Sequence, residues 1–103
     1  MKIVFLNSCA ADLDWFQEYY RDVFPSGSAN AKDQYMRTKA VLRQNPRIGY
    51  PLEEFGLREF SIVRTPFSFI YRVTQKSIEV VRVWDQRADR PEKWARATQE
   101  HLS

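Results

Sequence analysis

The side chains in this sequence best equipped for chemistry are guanidinium groups. After Gly56, five arginines (Arg58, Arg64, Arg72, Arg82 and Arg87) fall within three alternating runs and the stretch that leaves the last of them. An arginine presents a planar fork of donors and keeps its charge at any ordinary pH. Its chemistry is therefore the binding of carboxylates, phosphates or aromatic faces, and the stabilisation of anionic charge. Singly, each is a solvated charge on a sheet. As a group they bring like charges together on neighbouring strands. Arg58 also shares parity with Phe60 and Ile62, and Arg82 with apolar neighbours, so each needs a compensating group. Glu59, Glu79 and Asp85 could serve from within the chain, or an anionic partner from outside it.

Other chemistries have few residues to use. The one histidine, His101, lies two residues from the end, which leaves no basis for histidine acid–base or triad chemistry. Cys9, alone of its type, reads as a small half-buried hydrophobe and cannot form an internal disulfide. No phosphate-binding glycine pattern, nucleophile elbow or metal-ligand spacing occurs, so no cofactor and no metal is expected.

The elements that must position the arginines can be read from periodicity. Lys2–Leu6 is a short apolar strand. Ser8 then reads as the N-cap of a helix carrying Leu13, Phe16, Tyr20 and Val23 on one stripe, and Pro25-Ser26-Gly27-Ser28 stops it. A second helix, Ala29–Gln44, buries Ala31, Tyr35, Thr38 and Leu42 and ends before Pro46. The short link makes the two an antiparallel hairpin. From Asp12 to Asp22 four carboxylates face only Arg21, whereas between Asp33 and Glu53 all charges are basic.

Arg47–Gly56 reads as a loop. Beyond it the period becomes two, giving strands at Leu57–Arg64, Phe67–Thr74 and Ser77–Trp84. A two-residue turn at Gln75-Lys76 sets Arg72 opposite Glu79, Tyr71 opposite Val80 and Phe69 opposite Arg82. Phe67, Phe69, Tyr71, Val73, Ile78, Val80 and Trp84 then share the helix-facing side. Asp89 and Glu92 read as the start of a short terminal helix. The expected fold is α+β: an N-terminal strand, a helical hairpin on a three-stranded antiparallel sheet (four strands in all), and a C-terminal helix. Residues 1–103 form a single domain, with 91–103 as helix or tail.

Composition agrees with such a domain. The 103 residues are 44% hydrophobic with three glycines, which is material for a core rather than a disordered chain. The net charge of +3 is too small to prove a nucleic-acid partner. An apolar run of four residues near Met1 is too short for a signal or a membrane span, so no membrane partner and a cytoplasmic location are expected.

The order of elements, together with GLREF, RTPFSFIYRV and IEVVRVWDQRADRP, resembles the RelE/ParE superfamily of bacterial toxins, closest to the ParE branch. The likeness extends nearly to Pro91. It implies a type II toxin neutralised by a cognate antitoxin whose tail lies over the helical hairpin and sheet. ParE-like members poison DNA gyrase, with no established chemical step of their own. RelE-like members, the alternative, enter the ribosome and cut mRNA.

For RNA cutting, 2′-OH attack needs a base, an acid and cationic stabilisation of the phosphorane. Where RelE-like relatives carry an active-site arginine this chain has Ser68, and Asp85 replaces the histidine usual in ParE relatives. A nuclease here would have to use Arg58, Glu59, Arg82 and Asp85. The favoured expectation is gyrase binding through Arg58, Arg64, Arg82, Trp84 and Arg87, with antitoxin contact at Leu13, Tyr20, Tyr35 and Ile70. A degenerate toxin that only binds its antitoxin is the third reading, and a toxin–antitoxin hetero-oligomer is the expected assembly.

Overall fold

The structure, a computed structural model, describes residues 1–97. Alternation after Gly56 produces three antiparallel strands: β3 (Leu57–Ser61), β4 (Phe67–Val73) and β5 (Ser77–Asp85). Arg72 stands opposite Glu79 with its Nε 2.6 Å from the carboxylate, as the unlike charges require.

The sheet is larger than expected, and mixed. It has five strands in the order β1-β5-β4-β3-β2, not four antiparallel ones. β1 (Lys2–Phe5) lies parallel to β5, from Lys2 opposite Ser77 to Phe5 opposite Val80. A parallel neighbour needs a long crossover, and two helices and the antiparallel strands supply it. The expected loop contains β2 (Tyr50–Pro51), paired to β3 through Tyr50–Glu59 and Pro51–Arg58. Two residues carry too little alternation to be read as a strand, and Pro51 is tolerated because the ladder bond to β3 beside it is made by Leu52 N–H on Leu57 O rather than by residue 51.

The expected C-terminal helix is also corrected. Glu92–Trp94 make one 3₁₀ turn without a side-chain cap, so Asp89 does not cap it, and Ala95 is extended at φ −58°, ψ 147°. The backbone from 93 to 97 runs beside 51–54 instead. Glu53 N–H donates to Ala95 O (2.8 Å), Glu54 N–H to Lys93 O (2.7 Å) and Ala97 N–H to Pro51 O (3.0 Å). A helix would forfeit these pairings. The rest of that expected helix, residues 98–103 with His101, lies outside the described residues.

Two helices cover one face: α1 (Ala10–Glu18) and α2 (Ser28–Gln44). Ser8 does not cap α1; it sits in a 3₁₀ turn (Asn7–Cys9) and donates its hydroxyl to Val81 O at 2.6 Å. After Glu18 the helix widens into a π turn, Tyr19–Val23, closed by Phe24 N–H on Tyr19 O at 2.8 Å. The wider turn rotates the stripe, so Tyr20 stays buried while Val23 faces solvent. α2 keeps the expected stripe, with Ala31, Thr38 and Leu42 buried and Tyr35 packed beside them.

A bulge divides β5. Tyr71 faces Val80, but Ile70 faces Arg82, which leaves Val81 unpaired. One extra residue reverses every later parity, so Phe69 meets Val83 rather than Arg82. Val83 joins the helix-facing core with Phe67, Phe69, Tyr71, Ile78 and Val80. Trp84, expected on that side, moves to the opposite face. There Leu52, Leu57, Ile70 and Trp94 form a second core with Val81 and Trp84 beside it. Residues 90–97 lie over that second face as a strap.

Candidate functional site

Four of the five arginines are each held by groups within the chain. Arg58 Nη1 donates to Arg47 O (3.0 Å) and Gly49 O (2.8 Å), tying down the loop that leads to β2. Tyr71 closes the same loop: its hydroxyl donates to Pro46 O at 2.7 Å and accepts from Gly49 N–H at 2.9 Å. A side chain on residue 49 would collide with that hydroxyl, whose oxygen would lie 2.5 Å from an added Cβ. Arg72 is held by Glu79.

Arg82 forks onto Asp12 of α1, at 2.6 Å from Nε and 2.8 Å from Nη2. The same carboxylate accepts Val83 N–H at 3.0 Å. β1 ends opposite Val80, so beyond that point Asp12 and Ser8 serve the edge of β5 in place of a strand. The bond to Asp12 pushes the Arg82 guanidinium further up from its ordinary value, against the cost of burial. Its plane also lies over the rings of Trp84 (5.2 Å) and Trp94 (5.8 Å).

Arg87 forks onto Asp85 at 2.9 and 2.8 Å, donates to Tyr19 OH at 3.1 Å, and stacks 4.5 Å from the Tyr19 ring. The Arg87 guanidinium holds Asp85 down at about 2, helped by the Trp15 indole N–H at 3.0 Å. Arg64 alone of the five has no hydrogen-bond or ion-pair partner for its guanidinium among the described residues. It occupies a left-handed turn position at φ 62° and is exposed.

Glu59, the other candidate base, is 2% exposed. Its Oε2 accepts from Arg90 Nη2 (2.6 Å), Ser68 Oγ (2.7 Å) and Gln86 Nε2 (3.4 Å). Burial pushes this carboxyl up, but the hydrogen bonds from Arg90 and Ser68 outweigh it and hold the group below its usual range. Ser68, where RelE-like relatives carry an active-site arginine, is itself fully buried in this bond. Neither Glu59 nor Asp85 is therefore disposed to take a proton near neutral pH.

The expected antitoxin contacts divide. Leu13, Tyr20 and Tyr35 line a groove of about 370 Å³ between α1 and α2, with Phe16, Ala31 and Met36. Lys32 lies on its rim, and Lys39 Nζ stands 5.3 Å from the Tyr35 ring centre. Ile70 is completely buried on the other face with Trp94 and takes no part in the groove.

Sequence reasoning missed Asp12, Tyr19, Arg90 and Trp94 as partners of the candidates. Asp12 and Arg82 are 70 positions apart, and no local pattern links them. Arg90 and Trp94 were legible only as parts of a terminal helix.

The family described as ParE toxin of type II toxin-antitoxin system, parDE, matches residues 3–90 of this chain. Among solved structures, the chain is similar to the chromosomal ParDE toxin–antitoxin system from P. aeruginosa. The identity is 28% and the TM-score 0.62, with 81% of this chain and 92% of that chain covered. No curated protein matches.

Proposed function

We propose that this chain, which belongs to the ParE toxin family of type II toxin–antitoxin systems, arrests growth in the cytoplasm by binding DNA gyrase and is neutralised by a cognate antitoxin. One observation carries the choice of a binding toxin over a nuclease: every candidate catalytic group is already committed. Asp85 is locked to Arg87, Glu59 to Arg90 and Ser68, Arg82 to Asp12, and Arg58 to backbone carbonyls. RNA cutting would need at least one of the carboxylates free and near neutral.

Target binding then falls to guanidinium groups that are at least partly exposed. Arg64 offers an unpaired guanidinium, and Arg82 with Trp84 and Arg87 with Tyr19 offer cation–aromatic surfaces. The groove between the helices suits an amphipathic antitoxin segment, with apolar anchors seated among Leu13, Tyr20 and Tyr35 and carboxylates toward Lys32 and Lys39.

Inducing the full chain without antitoxin tests the reading when growth, DNA damage and mRNA integrity are scored together. The expected result is arrest, stalled gyrase–DNA complexes and intact mRNA. Codon-phased cuts in a purified translation system, lost in Arg58→Ala or Arg82→Ala, would make the chain a ribosome-dependent endonuclease instead. Unimpeded growth would leave antitoxin binding as its only role. For the groove, Met36→Glu at an exposed position should weaken antitoxin binding about tenfold or more, while a surface change of this kind leaves the melting temperature nearly unmoved.

A further inference from the structure

Two buried side-chain atoms among the described residues have no hydrogen-bond partner: Glu59 Oε1 and Trp84 Nε1. Both belong to the face under the 90–97 strap. Glu59 reaches the strap through Arg90, and Trp84 meets Trp94 edge to face at 5.0 Å. A carboxylate oxygen and an indole N–H shut away without partners are costly, and each would regain water if the cover lifted.

The cover is held mainly by polar contacts: Lys93 Nζ pairs with Glu54 at 3.5 Å, Tyr50 OH donates to Ala97 O at 3.4 Å, and Arg96 lies 4.7 Å from the Tyr50 ring centre. Trp94 is its one large apolar side chain; Arg90, Lys93 and Arg96 are charged. Arg90 Nη2 binds Glu59 Oε2, while Arg96 Nε approaches Glu59 Oε1 only to 4.0 Å. Trp94 Nε1 donates to Glu54 at 3.2 Å, and three backbone bonds join the strap to 51–54. Beneath it lie Trp84 and, beside the Trp94 ring, the Arg82 guanidinium. Both are among the residues assigned to the target.

We propose that residues 90–97 form a releasable strap, latched by the buried Glu59 carboxylate on Arg90, that screens the Arg82–Trp84 part of the target surface. The screening half rests on the gyrase reading above; the latch does not. Closing the strap seats Trp94 on Trp84 and leaves two polar atoms unpaired. Opening it returns those atoms to water and frees Trp84 for a partner.

The test is hydrogen exchange on the full-length chain and on two variants, Glu59→Gln and Arg90→Gln. The second changes an accessible residue and protects the test should the first fail to fold. Exchange at Trp94, Ala95 and Ala97, and at Glu53 and Glu54 which donate to the strap, is expected to speed up about tenfold or more in a folded variant, with β4 and β5 unchanged. Unaltered strap exchange, or strap and sheet amides accelerating together, would overturn the latch. Binding of purified gyrase supplies the second arm, with the folded variants expected to bind more tightly than the parent chain. Equal or weaker binding by a variant with a fast-exchanging strap would overturn the screening. If the parent chain does not bind gyrase, the target reading fails together with the screening built on it, while the exchange result still decides the latch.

Discussion

The two faces of the sheet are covered by different means. On the helix side, Phe67, Phe69, Tyr71, Val80 and Val83 meet α1 and α2 through a continuous aromatic packing in which Phe16 lies 4.9 Å from Phe67 and Tyr35 5.6 Å from Phe69. On the strap side, a smaller apolar cluster is closed by one tryptophan and an ion pair whose carboxylate is buried. Apolar burial is non-directional and cumulative, so the helix side contributes stability broadly. A buried ion pair returns little net stability but fixes geometry, so the strap side specifies where one short segment sits. The helix face holds the fold together; the strap face sets an arrangement that can change.

The sharpest way to break this contrast is to truncate one aromatic on each side. Phe67→Ala should cost about 3–5 kcal/mol in a denaturant melt, because the space it leaves is enclosed by the rings of Phe16, Tyr19 and Tyr20. Trp94→Ala should cost at most about 2 kcal/mol despite the larger side chain, since a segment that opens locally forfeits only its own closing free energy. Equal costs would mean that both faces belong to one cooperative core.

Acid titration gives a smaller effect at the exit of β5. The folded-state pKa of Asp85 is depressed to about 2. Its stabilisation is therefore fully present above the unfolded value and is lost as pH falls from near 4 toward 2. With Arg87 half exposed, solvent screening reduces the contribution to about 1 kcal/mol. Asp85→Asn should remove that part of the acid dependence from melts recorded between pH 5 and pH 2.

The smallest change is expected at the β3–β4 turn, where Arg64 holds a left-handed backbone. Arg64→Gly relieves that strain but frees the unfolded chain, so stability should move by no more than about 1 kcal/mol in either direction. Gyrase binding should nonetheless weaken, and this would separate the binding surface from the fold.

Much of this was legible in the chain, and the failures have specific causes. Arg72 and Glu79 fixed the hairpin register because unlike charges and a two-residue turn point to the same alignment. The same reasoning failed two residues past Glu79 at Val81, since a bulge leaves no mark in alternation of apolar residues: Val80, Val81 and Val83 suit either face. The arginines were identified correctly as charges in need of compensation. Glu79 and Asp85, named as compensators, do hold Arg72 and Arg87, but the partner of Arg82 was not identified, because Asp12 comes from an element whose placement depends on the whole fold. Leu13, Tyr20 and Tyr35 came together as expected because helical periodicity is a local property. Ile70 did not, because it lies on the opposite face of β4, packed with Trp94.

The neighbouring positions of β1 and β5 bear on the order in which the molecule can be completed during synthesis. Lys2–Phe5 is made before both helices and β2–β4, whereas its partner Ser77–Val80 emerges after them. The contact closes a loop of about seventy residues, a separation that slows folding. A ribosome that stops before Ser77 would release a chain whose first segment has no neighbour and whose helices have only part of the sheet to pack on. Interrupted translation should therefore yield inert, degradable fragments rather than partly active ones.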